Sequence, residues 1–245
     1  MSKTNESQDV EVKHMKAEFD LFADEYFTLH KKNVAITGES PEYFSEYKIA
    51  DLAGLISRLK LPATNILDFG SGIGNSLPYL RKYFPDSMIT CADVSARSNE
   101  IARSRFPGRE RYVQIDENIP LPSASQDVIF SACVFHHIPH EEHLYWLNEL
   151  LRVTRPGGVL MIYEHNPLNP LTVYAVKTCP LDANAKLING TDLRARMLNS
   201  GWSEAKLGYK LFFPAILSLL RPLEPRLEWL CLGAQYRILA IKDKS

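Results

Sequence analysis

The stretch Ile66–Asn75, ILDFGSGIGN, sets an acid at the end of an apolar run and glycines at 70, 72 and 74 behind it. Glycine lets a backbone approach a ligand with no Cβ in the way. A helix starting after such a turn offers unpaired N–H groups to anything negative. Two phosphate-binding patterns nonetheless fail. The G-x-G-x-x-G fingerprint would need glycine where this chain has Asn75, and no GK[ST] follows. Asp68 is also a poor neighbour for a pyrophosphate and a good one for an ammonium group. Asp93 ends the second apolar run, where a carboxylate can grip two ribose hydroxyls. Asp116 ends the third and could accept from an adenine amino group. Three acids at successive strand ends, with no arginine poised for phosphate, describe a nucleoside carrying a charged amino-acid tail.

Further residues could move a proton. His136 and His137 follow the fourth apolar run, in CVFHHIPHEEH, and imidazole titrates near neutrality. Glu164 and His165 follow the fifth, in YEHNPLNPLT. Each is a candidate base; each could equally cap a segment or bond backbone. Two Asn-Pro steps make the second loop stiff, fit to hold an acceptor or to serve as a crossover. His140 and His143 read as a solvated helix start. Cys91, Cys133, Cys179 and Cys231 stand far apart with no CxxC pair, which predicts neither a metal centre nor a disulfide framework.

The elements that must position these groups alternate. Short apolar runs come at 65–69, 88–93, 111–116, 127–133 and 158–164, and runs that are apolar throughout suit strands buried on both faces. Helical segments near 75–84, 96–105 and 141–154 lie between most of them. That pattern predicts an α/β fold, a doubly wound, mostly parallel sheet with helices on both faces. RPGGV supplies a turn into the fifth strand. Upstream, Met15, Phe19, Phe22, Ala23 and Tyr26 recur at helical spacing, and a second helix starts near Pro41 with Ser40 as N-cap. Downstream, TDLRARMLNSGW predicts a helix capped by Thr191 and stopped by Gly201, and two final strands follow.

Taken as a set, residues 45 to 166 resemble the class I S-adenosylmethionine-dependent methyltransferases, in their small-molecule, type 11-like branch. ILDFGSGIGNSL is similar to the family's first motif, CADVS to the acidic end of its second strand, and LLRVTRPGGVLMIYEH to its fifth-strand motif. The resemblance implies a Rossmann-like seven-stranded sheet with an antiparallel last strand, and S-adenosylmethionine as cofactor. It implies that Gly70, Gly72 and Gly74 pack under the methionine part and that Asp68 meets its amino group. Asp93 would hold the ribose, Asp116 the adenine amino group, and Val94 and Ile115 the base. Cys133 and Phe135 would line the pocket beside the sulfonium. Tyr26 would be a lid contact. Many relatives carry an aromatic or methionine where this chain has the smaller Val94.

The expected organisation is a disordered tail (1–10), a helical lid (11–62) and a cofactor-binding core (63–245) with an apolar insertion near 211–233. For that insertion, core burial is the ordinary expectation; an acceptor-pocket roof, a dimer face or a lipid contact are the others. A net charge of −1 argues against nucleic acid as partner. The polar N-terminus and the lack of a spanning apolar run suit a cytoplasmic setting. The expected function is methyl transfer to a small molecule, an apolar or lipid-linked acceptor being allowed, with oxygen slightly favoured as the atom methylated. A nicotinamide-dependent oxidoreductase and a non-catalytic scaffold are the alternatives, and a homodimer is left open.

Overall fold

The computed structural model describes residues 26–244. The expected tail and the Met15–Ala23 part of the first helix lie outside the described residues. Tyr26 opens α1 (Tyr26–Val34), but its side chain also lies outside them, so its lid role is not addressed.

The sheet has seven strands: β1 (Asn65–Phe69), β2 (Met88–Asp93), β3 (Arg111–Gln114), β4 (Gln126–Ala132), β5 (Thr154–His165), β6 (Glu204–Lys210) and β7 (Gln235–Ile241). Their order is β3-β2-β1-β4-β5-β7-β6. β7 runs antiparallel to both its neighbours, and the other pairings are parallel. The order reverses between β1 and β4, where ligands settle in such sheets.

Side chains alternate across the sheet and build one core on each face. On one side Leu67, Phe69, Ile129, Leu160 and Ile162 meet Trp146, Leu147 and Leu150 of α5 (His143–Val153) and Leu193 and Met197 of α7 (Gly190–Asn199). On the other, Ile66, Val128, Phe130, Met161 and Tyr163 meet Ile49, Leu52 and Ile56 of α2 (Pro41–Leu59) and Leu77 and Leu80 of α3 (Leu77–Tyr83). Each such side chain contributes about 1.5–3 kcal/mol when fully buried. Helix α2, expected within the lid (11–62), is thus a layer of the core. It starts as expected: the Ser40 hydroxyl accepts from the Tyr43 amide, with Pro41 in the first turn. Helix α4 (Ala96–Arg105) is capped by Ser95, whose Oγ accepts from Ser98 N at 2.9 Å.

Three local expectations need correction. Helix α7 has Asn189, not Thr191, as N-cap. The RPGGV segment joins β5, its irregularity absorbed by a register shift between Gln126 and Val128 of β4 and by Gly157 at φ +76°. The insertion does not bury its apolar residues. It forms short 3-10 and helical turns (Ala215–Leu227), and Ile216, Leu219 and Trp229 are 89%, 93% and 77% exposed. Polar latches hold it instead. Glu224 accepts the amides of Phe212 and Phe213, and Glu228 pairs with Lys210 and Arg237. Arg237 in turn grips Asp51 of α2, which also accepts from Tyr163 Oη and Lys210 Nζ. No described helix is long and apolar enough to cross a membrane.

Candidate functional site

The glycine turn leaves β1 with three positive φ values, and its glycines do different things. At Gly70 (φ +71°) a Cβ would sit 2.3 Å from Val134 Cγ2. At Gly74 (φ +80°) it would press Ala102 at 3.1 Å and Phe106 at 3.2 Å. At Gly72 (φ +50°) it would meet nothing within 4 Å. Gly70 and Gly74 let the turn pack against the protein, and Gly72 faces the cleft.

The cleft has two connected parts. A slot of about 110 Å³ is lined by Phe69, Gly72, Asp93, Val94, Ile115 and Trp146. A larger chamber of about 210 Å³ is lined by Lys48, Asp68, His136, His137, His165 and Asp182 among others. Gly70, Gly72, Ile73, Ala132, Cys133 and His137 line both. Any molecule that fills the slot therefore ends at Cys133 and the turn, facing the chamber.

At the slot, Asp93 Oδ2 accepts the Gly72 amide at 2.7 Å and Oδ1 accepts the Ser95 amide at 2.9 Å. These two backbone amides fix the carboxylate at the wall of the slot. Val94 and Ile115 line the walls of the slot. Asp116 sits two residues past the end of β3, exposed, and outside the lining of both parts. Phe135 is also not where the resemblance put it. It is fully buried in the core, its ring 6.4 Å from Phe69 and edge-on to His143 at 5.3 Å. The cause lies two residues earlier: Cys133 has φ +59°, which breaks strand alternation after β4.

Asp68 is 2% exposed, and its Oδ2 has no hydrogen-bond partner. Burial, with Asp93 adding to it, pushes its pKa up to about 7. A buried carboxylate atom without a partner is costly unless a ligand donor meets it.

Behind the chamber, Glu164 is buried and saturated. Its Oε1 accepts the amides of Val134 (2.8 Å) and Phe135 (2.7 Å), and its Oε2 accepts from His136 Nδ1 at 2.6 Å. Burial opposes its charge, but His136 and these donors hold its pKa down at about 2. His136 is disfavoured as a cation by burial, yet Glu164 and Asp182 raise its pKa to about 10. His137 goes the other way: burial and the adjoining His136 lower it to about 3. Cys133 would be raised by burial, but Lys48 and His165 bring it to about 7. Lys48 Nζ lies 3.6 Å from Cys133 Sγ and 5.9 Å from the centre of the Tyr163 ring.

His136, His137 and His165 thus meet in the chamber, while Glu164 stands behind them as a support. His143, read as solvated, is fully buried, its Nε2 within 3.0 Å of the Phe135 and Ile138 carbonyl oxygens. The Asn-Pro loop is a latch. Asn166 donates to the Cys231 and Gly233 carbonyls, and Asn169 caps α6 (Pro170–Thr178). Sequence reasoning missed Lys48 and Asp182. Lys48 carried a signal, since it stands four residues before Leu52 on the buried stripe of α2. Asp182 carried none.

Residues 67–162 match the family model described as "Methyltransferase domain". Over this stretch the chain is thus similar to methyltransferase domains. Among curated proteins the chain is similar to a trans-aconitate 2-methyltransferase of Azoarcus sp. (strain BH72), with 35% identity over 49% of this chain and 46% of that protein. It is also similar to a ubiquinone/menaquinone biosynthesis C-methyltransferase of Ectopseudomonas mendocina, 26% identical over 67% of this chain and 74% of the relative. The chain spans about half the length of the trans-aconitate 2-methyltransferases it matches. In fold it is similar to a Thermotoga maritima structure titled a SAM-dependent methyltransferase, "possible histamine N-methyltransferase", at TM-score 0.66 and 21% identity, covering 94% of this chain and all of that one.

The residues present fit the family's methyl donor. The unmet Asp68 oxygen suits its ammonium, the open face of Gly72 leaves room for its tail, and the Asp93 slot suits a nucleoside. A pyrophosphate compound would instead set negative charge beside Asp68.

Proposed function

We propose that this protein transfers a methyl group from S-adenosylmethionine to an anionic oxygen of a small acidic acceptor held in the chamber. When bound, the donor supplies a methyl on a sulfonium, open to in-line displacement. Asp68, Asp93, Gly72, Val94 and Ile115 would hold it. Lys48 and the histidine cluster would bind and orient the acceptor, and good alignment alone can lower a barrier by about 7–11 kcal/mol.

The observation that carries the choice of acceptor is the hydrogen bonding around the turn. Both Glu164 oxygens are occupied, His136 Nδ1 is tied to Glu164, and His165 is bonded to Cys133. Both His136 and His137 turn Nε2 toward Asp182, at 3.4 and 3.6 Å. Glu164 and His136 Nδ1 are thus bonded to each other and His165 to Cys133, while the Lys48 side chain stands at the junction. An acceptor that arrives with its oxygen already ionised needs no base. The similarity to proteins named trans-aconitate 2-methyltransferase supports an acid as acceptor.

The test is incubation with methyl-labelled S-adenosylmethionine and a panel of small carboxylic acids, phenols and amines. The reading predicts alkali-labile methyl esters. Label on nitrogen or carbon would refute it, and donor binding without turnover on any of them would favour a scaffold.

A further inference from the structure

We propose that His136, His137 and Asp182 form a binding site for one divalent transition-metal ion of the zinc kind, facing the chamber. The three ligand atoms lie within 4.8 Å of one another. Tetrahedral bonds of about 2.0–2.1 Å set neighbouring ligand atoms roughly 3.4 Å apart. Asp182 Oδ1 is 3.4 Å from His136 Nε2 and 3.6 Å from His137 Nε2. Two imidazoles and one carboxylate are a donor set that divalent zinc, cobalt and iron accept.

A second observation points to a ligand independently. His136 is 1% exposed, and its Nε2 has no hydrogen-bond partner. Its other nitrogen is built into a support. Nδ1 donates to Glu164 Oε2 at 2.6 Å, and the amides of Val134 and Phe135 fix Glu164 in turn. That is the carboxylate–histidine pairing which orients metal-bound imidazoles and raises their basicity. With Nδ1–H held by Glu164, an ion would displace the proton from Nε2, whose lone pair then faces the other two ligand atoms. The same three residues line the chamber, which leaves a fourth position for water or a ligand oxygen. An ion there would put positive charge where an acidic molecule would sit. The site does not depend on the methyl-donor reading.

The test uses the full chain stripped with a chelator and titrated with Co²⁺, followed by its visible d–d absorption. One equivalent should give a band of tetrahedral intensity that Zn²⁺ displaces. Asp182→Asn and His137→Gln should each weaken Co²⁺ by at least about tenfold, and Glu164→Gln by about 10–100-fold through the lost support. S-adenosylhomocysteine binding by Asp182→Asn serves as the check that it folds; if it does not, His137→Gln, checked by its thermal transition, decides. No band at stoichiometric Co²⁺, or a band unchanged in the folded variants, overturns the site and leaves His136 as an imidazolium bridging two carboxylates. Co²⁺ binding without S-adenosylhomocysteine binding would uphold the ion site and sink the donor reading; the converse would do the reverse.

Discussion

Alanine at Gly72 and at Gly70 should separate ligand space from packing within one turn. Both positions have positive φ, so either alanine costs about 1–2 kcal/mol in backbone conformation. At Gly70 the new Cβ would lie 2.3 Å from Val134 Cγ2, and forcing it in costs about a further 1–3 kcal/mol. For a chain of this size each kcal/mol lowers Tm by about 2–4 °C. Gly70→Ala should therefore lose about 4–20 °C, and Gly72→Ala only about 2–8 °C. Affinity should show a separate effect. The Gly72 Cβ has nothing within 4 Å in the protein, so it enters space reserved for the ligand. An intruding methyl worth about 1–3 kcal/mol weakens binding about 5- to 150-fold. Differential scanning calorimetry reads the first quantity, and titration with S-adenosylhomocysteine reads the second. Wild-type affinity in Gly72→Ala would refute the assignment of that face, as would a Tm loss equal to that of Gly70→Ala.

Three further outcomes follow from the charges. The ligand-free Asp68 carboxyl titrates near 7, and a ligand ammonium favours its ionised form. S-adenosylhomocysteine affinity should be full above that value and fall by about tenfold per pH unit below it, whereas Asp68→Asn should show a flat profile. Cys133, lowered to about 7, should react with iodoacetamide faster than an ordinary thiol at neutral pH, and bound S-adenosylhomocysteine should protect it. Mass analysis of the modified cysteine checks this, and equal labelling with and without ligand would contradict it. Asp51→Ala strips the Arg237 and Lys210 cations of a buried partner and should cost about 3–5 kcal/mol in chemical denaturation. A loss under about 1 kcal/mol would mean that Glu228 alone satisfies both cations.

Local signals carried much of the fold. The five apolar runs became strands because each is short and flanked by turn formers, and Ser40-Pro41 starts α2 through a side-chain bond to a neighbouring amide. The glycine turn and Asp93 were legible for the same reason: the Asp93 oxygens bond amides of the turn and of the residue two places on. What the sequence concealed depends on long-range contacts or on one backbone angle. Lys48 reaches Cys133 across 85 positions, and Asp182 meets two histidines from the short 3-10 turn Pro180–Asp182. Phe135 turned inward because Cys133 leaves the strand at positive φ. The insertion looked like core by composition, but its glutamates and arginines bind the fold through backbone and charge, leaving its leucines outside.

The most direct measurement is a crystal structure of the protein grown with S-adenosylhomocysteine. The account predicts density for the nucleoside between Val94 and Ile115, ribose hydroxyls on Asp93, the amino group at Asp68, and the sulfur beside Cys133 at the mouth of the chamber. An empty slot under saturating ligand, or ligand bound away from Gly72 and Asp93, would contradict it.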